Sequence, residues 1–302
     1  MVNEAARADA GSAHSGYFTG VLLLVLGAVA FSSAGLFVRV IGRDAPTILF
    51  WRGIFTVLAV GLFIAWRERR GTVRHVCDMG WPGLAVAVFQ AASMASFISS
   101  LQYTSVANNS IIFGTGPFMT AGLAWLMIRE RPSAATLTLS GVALLGALLV
   151  VGSSFAVSRA SVIGDALAVL MTLTFSIKTV IVRRQGGRSM IPAGVLGALL
   201  GSLGAAPFVR DWSISAYELG LFALFGFTQQ GAGLILTTLG TVHVPAAHAA
   251  LLLALDLPMS PAWVWLVLGE RPTTLGLIGG LIVLAAILAH IVIEGIRRRR
   301  YG

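Results

Sequence analysis

The chain has 302 residues, 57% of them hydrophobic and only 11% charged, with a formal net charge of +9 and a mean hydropathy of +0.87. A soluble domain carries roughly 25% charged residues, so this composition excludes a protein that covers itself with a solvated surface. The positive charge is almost all arginine spread over short loops, Lys178 being the one lysine, and it points to membrane topology rather than to a nucleic-acid groove.

Residues 1–16 are small and polar and are expected to form a mobile cytoplasmic tail. The apolar run that follows, about 17–40, is too long for a signal peptide and lacks a basic flank, so it reads as a first permanent helix. Further apolar runs fall at about 47–66, 81–102, 107–128, 133–152, 162–182, 192–209, 216–240, 246–268 and 273–293, most of them long enough to span a bilayer. The fold class is therefore all-α and polytopic, with ten transmembrane helices. The basic segment 294–302 closes the chain. The single cysteine, Cys77, sits in a basic loop and permits no intrachain disulfide.

Cation placement supports ten passes. With the N-terminus inside, the inner segments hold Arg7, Arg67, Arg69, Arg70, Arg74, Arg129, Arg131, Arg183, Arg184, Arg188 and Arg297 to Arg300. The outer segments hold only Arg39, Arg43, Arg159, Arg210 and Arg271. This excess follows the positive-inside rule and places both termini in the cytoplasm of a bacterial inner membrane.

The chain also repeats itself. Arg129-Glu130-Arg131-Pro132 joins two apolar helices, and Gly269-Glu270-Arg271-Pro272 joins two more. Trp125 and Met119 precede the first glutamate by the same intervals at which Trp265 and Met259 precede the second. Phe31-Ser32 with Val38-Arg39 matches Phe175-Ser176 with Val182-Arg183 in the same sense, and Pro46 and Pro192 open each second helix. The units are 17–152 and 162–293, each of five helices. An odd number of passes inverts the second unit, an arrangement found in secondary transporters with the solute site near the midplane. Channels are also built this way.

Two five-helix halves, each with a Trp-containing helix, a Glu-Arg-Pro elbow and a Gly-rich last helix, resemble the EamA-type drug/metabolite transporters over about residues 20–293. Arg52, opening the second helix after Pro46, matches an arginine common at that place in the family. The resemblance implies an exporter or exchanger of small metabolites with a central cavity and alternating access. Bacterial exporters of aromatic and other hydrophobic amino acids are similar in size and layout, so the resemblance favours that substrate class.

Charged and polar residues inside a membrane are costly unless paired or facing water, which makes each a candidate. Asp256 lies farther from a helix end than any other acid, and Pro258 and Pro261 are expected to break its helix and free carbonyls beside it. It reads either as an amine partner or protonation site, or as a structural carboxylate paired with Arg52 or Arg271. Arg52 is suited to bidentate contact with a substrate carboxylate, or to holding the fold by pairing internally or snorkelling outward. Gln90, Ser93, Met94 and Phe97 share one face of the third helix and are expected to line the cavity. Phe113 offers an aromatic wall, and Ser33 and Gln230 lie near the middle of their helices. Lys178 is expected to snorkel to the inner boundary, and the two Glu-Arg-Pro elbows to start helices.

No Walker loop is present, so ATP is not expected to drive the protein directly. No metalloprotease, hydrolase or paired-acid motif suggests an enzyme, and no cofactor is implied. The expected partners are a small-molecule substrate, protons if Asp256 titrates, and the lipid bilayer; no oligomer is required. A lipid flippase or a channel-like protein is the alternative.

Overall fold

A computed structural model describes residues 2–68, 79–130, 132–185, 190–244 and 246–301. Cys77, Arg131 and most of the basic loop around residue 70 lie outside the described residues.

Among the described residues the helices fall into ten successive segments, four of them interrupted. The helix α1 is composed of Val2–Ser32 and Ala34–Ile41, with Tyr17–Ile41 as its apolar span, so the stretch expected as a tail is helical. Then come α2 (Ala45–Glu68), α3 (Gly80–Tyr103) and α4, made of Val106–Gly114 and Gly116–Ile128. The first half closes with α5 (Ala134–Val157). The second half runs through α6 (Arg159–Arg184), α7 (Ile191–Ala205, with a 3-10 turn at Ala206–Phe208) and α8 (Ala216–Phe225, Gly226–Ala232 and Gly233–Thr241). It ends with α9 (Ala246–Leu253 and Asp256–Leu268) and α10 (Thr274–Tyr301). Among the described residues, eight stretches are long and apolar enough to cross a membrane, and Pro192–Phe208 is a shorter apolar helix. The outward faces carry residues such as Leu62, Leu126 and Leu281, large and exposed, as a lipid-facing surface requires. The protein is a multi-pass membrane protein.

Packing follows the repeat. In the first half α3 lies against α6 and α7; in the second, its counterpart α8 lies against α1 and α2. Likewise α4 packs on α6 and α9 on α1, while α2 meets α7, α4 meets α9 and α5 meets α10 across the two halves. Each half is thus completed by the other. The α5–α10 crossing is made by glycines: a Cβ on Gly279 would lie 2.5 Å from the Gly146 carbonyl oxygen, and one on Gly146 would lie 2.8 Å from that of Gly279. Small residues bring backbones together in this way because lipid provides no hydrophobic drive between helices.

The elbows also repeat. Both end a helix in the left-handed conformation, Arg129 at φ 56° and Gly269 at φ 73°. The prolines then prevent the preceding helix from running on.

Candidate functional site

The interruptions fall near the middle of their passes, and each has a local cause. In α4, Pro117 supplies no N–H to the carbonyl of Phe113 four residues back, and the helix breaks at Thr115, whose own N–H turns to the Ile112 carbonyl at 3.1 Å. In α9, Pro258 does the same to Ala254, and the backbone restarts at Asp256. The two prolines lie 13 and 12 residues before the elbow glutamates Glu130 and Glu270, within one residue of matching places, so both repeats carry the break. In α1 the agents are hydroxyls: Ser32 donates to the Val29 carbonyl at 2.8 Å and Ser33 to that of Ala30 at 2.6 Å, competing with the helical ladder. In α8 the helix widens to a π-helix over Gly226–Ala232. Such stretches are rare and concentrate at functional sites.

The π-helix has a visible effect. Gln229 and Gln230 are consecutive and would diverge on an α-helix, yet both carbonyl oxygens accept from Arg52 Nη2, at 2.7 and 3.0 Å. Gly226 makes the approach possible, since a Cβ there would lie 2.8 Å from the Arg52 carbonyl oxygen. The guanidinium is 2% exposed and lies 4.7 Å from the centroid of the Phe225 ring. Its Nη1 faces only the Met94 sulfur at 3.3 Å, and its Nε has no partner. Among the described residues, no carboxylate forms an ion pair with it.

A second cation, partly buried, sits across α3. Lys178 does not run to the helix end as expected; its Nζ donates to Gln90 Oε1 at 2.7 Å and lies 4.0 Å from the centroid of the Phe175 ring. Phe113 meets that ring edge-on at 5.2 Å. Gln90 and Met94 are one turn apart on α3, so Phe113, Phe175, Lys178, Gln90, Met94, Arg52 and Gln230 form a continuous band across five helices.

The remaining candidates stand apart. Ser93 is buried but donates to the Met171 carbonyl at 3.1 Å, and Ser33 bonds its own helix. Phe97 packs against the apolar core with Phe50 and Trp51. Asp256 is half-buried at the restart of α9, and neither Arg52 nor Arg271 pairs with it. Seven residues on, Trp263 Nε1 donates to Ser32 Oγ at 3.0 Å, tying α9 to the break in α1. Asp165, passed over because it lies near a helix start, is 1% exposed and accepts from Thr104 Oγ1 at 2.5 Å.

Two ion pairs lie at opposite ends of the bundle, and the repeat relates them. At the face away from the termini, Arg39 Nε donates to Glu270 Oε2 at 3.0 Å; its other nitrogens donate to the carbonyls of Leu101 (2.6 Å) and Thr104 (2.9 Å). The same carboxylate accepts from Val106 N–H at 3.3 Å. At the terminal face, Arg183 Nη2 donates to Glu130 at 2.5 Å, between more exposed side chains. Each pair joins the end of one half's first helix to the elbow of the other half. The matching Val-Arg and Glu-Arg-Pro intervals were the signal for it. Beside the Arg39 pair lies a crevice of about 300 Å³ lined by Arg39, Gln102, Asn108, Glu270 and Arg271, among others.

At the same face, Arg43 donates from Nη1 to Asp211 at 3.0 Å and from Nε to Glu218 at 2.5 Å. The carboxyl of Asp211 is held down at about 2, first by the Ser213 hydroxyl and backbone N–H and then by Arg43. Bonds to Glu218 and Asp211 push the Arg43 guanidinium up.

Residues 18–152 match the model of the EamA-like transporter family. An uncharacterized transporter of Archaeoglobus fulgidus is 27% identical over 283 residues, covering 89% of this chain and 95% of that protein. The pseudopaline exporter CntI of Pseudomonas aeruginosa is 26% identical over 279 residues, 90% of this chain and 95% of its own. A crystal structure with 19% sequence identity superposes on 93% of this chain and 98% of that one with a TM-score of 0.62, a likeness of fold. Residues 18–152, the first repeat, are thus an EamA-like transporter family domain, and the relatives are similar to the chain over both repeats.

Proposed function

We propose that this transporter exports or exchanges small metabolites, amino acids in particular, by alternating access between its two repeats. It would do so in a bacterial inner membrane, with both termini in the cytoplasm. The observation that carries this reading is the pair of repeat-related Arg–Glu latches at opposite ends, with broken helices and two cations between them, Arg52 buried and Lys178 partly buried. A solute held at the band would be released to one side when Arg39 and Glu270 part, and to the other when Arg183 and Glu130 part. The interruptions in α1, α4, α8 and α9 are where the helices bend as the halves rock. Gln90, Met94, Phe113, Gln230 and Arg52 are the solute-facing set, with Ser33, Ser93, Phe97 and Asp256 as further residues of the path. The exporter name of the Pseudomonas relative favours outward metabolite movement.

The test is counterflow: proteoliposomes loaded with one unlabelled amino acid at a time and challenged with the same labelled compound. Saturable accumulation for at least one amino acid is expected. If all twenty fail while another metabolite exchanges, the substrate class is wrong and the carrier reading stands. Linear, unsaturable entry would favour a channel instead.

A further inference from the structure

We propose that Arg52 and Lys178 form a two-point anion receptor, and that the solute carries two carboxylates, as an acidic amino acid or a longer amino dicarboxylate does. This rests on the transporter reading above and narrows its substrate class. Both cations lie inside the bundle, and no Asp or Glu lies within ion-pair distance of either among the described residues. Their partners are neutral: Gln229 and Gln230 for Arg52, Gln90 for Lys178, with the faces of Phe225 and Phe175 beside them.

The hydrogen-bonding capacity of both groups is only half used. Arg52 Nε has no partner, although the residue is 2% exposed, and Nη1 meets only a thioether, a weak acceptor. Lys178 uses one of its three ammonium donors, on Gln90. A buried charge without a counter-ion is costly, and an apolar residue of similar volume commonly stabilises such a place. Two cations kept here without acids leave room for anionic groups that arrive with the solute. The glutamines suit that role, because a carboxamide oxygen can give up its donor to a carboxylate at little cost. The α3 contacts of the two cations, Gln90 and Met94, are four residues apart, about 6 Å along the helix. That separation matches a solute with charges at two ends better than a single carboxylate.

The test uses the purified full chain with glutamate, 2-aminoadipate, succinate, glutamine and phenylalanine, read by solute-induced thermal stabilisation and by counterflow in proteoliposomes. The acidic solutes are expected to act at concentrations at least tenfold below glutamine and phenylalanine. Lys178→Met and Arg52→Gln each remove a charge that no Asp or Glu pairs with among the described residues, partly buried for Lys178 and buried for Arg52. Each is expected to keep or raise the solute-free melting temperature while weakening the acidic solutes at least tenfold and erasing the preference over glutamine. A merely structural cation would do the reverse: its loss would lower the melting temperature and leave the preference intact, which overturns the proposal. Neutral amino acids that exchange as well as glutamate in the unmodified protein overturn it too, while leaving the amino-acid reading in place. Exchange of succinate without any amino acid would support the anion receptor and reject the amino-acid reading.

Discussion

Removing one charge from each latch should move the conformational balance in opposite directions. Glu270→Gln keeps the shape of the elbow but replaces charge-assisted bonds from Arg39 by neutral ones. The Arg39–Glu270 pair is half-buried, with side chains 27% and 31% exposed, and makes contacts at 3.0 and 3.4 Å, with a further backbone N–H on the carboxylate at 3.3 Å. Its value lies between that of a surface pair, about 0–1 kcal/mol, and that of buried charged bonds, about 1.5–3 kcal/mol each. A loss of about 1–2 kcal/mol shifts a two-state balance roughly 5- to 30-fold. The Arg183–Glu130 pair, 53% and 45% exposed with one short bond, is a surface pair, so Glu130→Gln should shift the balance by no more than about fivefold. The assay is maleimide labelling of a thiol placed by Asn108→Cys, a position 6% exposed in the crevice beside Arg39, in a Cys77→Ser background in nanodiscs. Glu270→Gln should raise the labelling rate roughly 5- to 30-fold, and Glu130→Gln should lower it slightly. If both substitutions raise the rate, or neither moves it, the latches are not opposed and the reasoning fails.

Three further outcomes follow from local geometry. Gly279→Ala places a methyl 2.5 Å from the Gly146 carbonyl oxygen and must separate α5 from α10, at about 1–3 kcal/mol of overpacking; Gly122→Ala, with nothing within 4 Å, is the neutral control, and both are read by melting temperature. Arg129→Gly relieves a left-handed arginine at φ 56° that the second repeat builds with glycine, and should gain about 0.5–1 kcal/mol by the same measurement. The Asp211 carboxyl, held at about 2 when folded against 3.8 ordinarily, contributes stability above its unfolded value that is lost as pH falls through about 2. Asp211→Asn should therefore lower the melting temperature at pH 6 and leave it unchanged near pH 2.

Most of the fold was legible because membrane helices are written in long apolar runs that need no tertiary context. The inverted repeat was legible because two elbows and two Phe-Ser helices recur at near-constant spacing. The break in α9 could be read from Pro258, whereas the break in α4 was missed although Pro117 lies within one residue of the matching place. The π-helix at Gly226–Ala232 leaves no single-residue signal, so nothing announced that Gln229 and Gln230 face one guanidinium. Position alone misled for Lys178: two turns from a helix end suggests a chain that reaches for water, but Gln90 on α3 and the Phe175 face hold it inside. One of the two readings of Asp256 was a structural carboxylate paired with Arg52 or Arg271, and Arg52 is instead engaged by glutamines. Helix rotation decides such partners, and apolar periodicity in lipid constrains rotation weakly, because the outer face and the packed face are both hydrophobic.

The most direct test of alternating access closes each latch covalently. In the Cys77→Ser background, the pair Arg39→Cys with Glu270→Cys would be bridged by a short bismaleimide in one protein, and Arg183→Cys with Glu130→Cys in another. Counterflow would then be measured before and after bridging for whichever solute the unmodified protein exchanges. Either bridge alone should abolish counterflow while the unbridged double variants retain part of it. Counterflow that continues undiminished after either bridge has formed would contradict the account, because a solute would then cross without that latch opening.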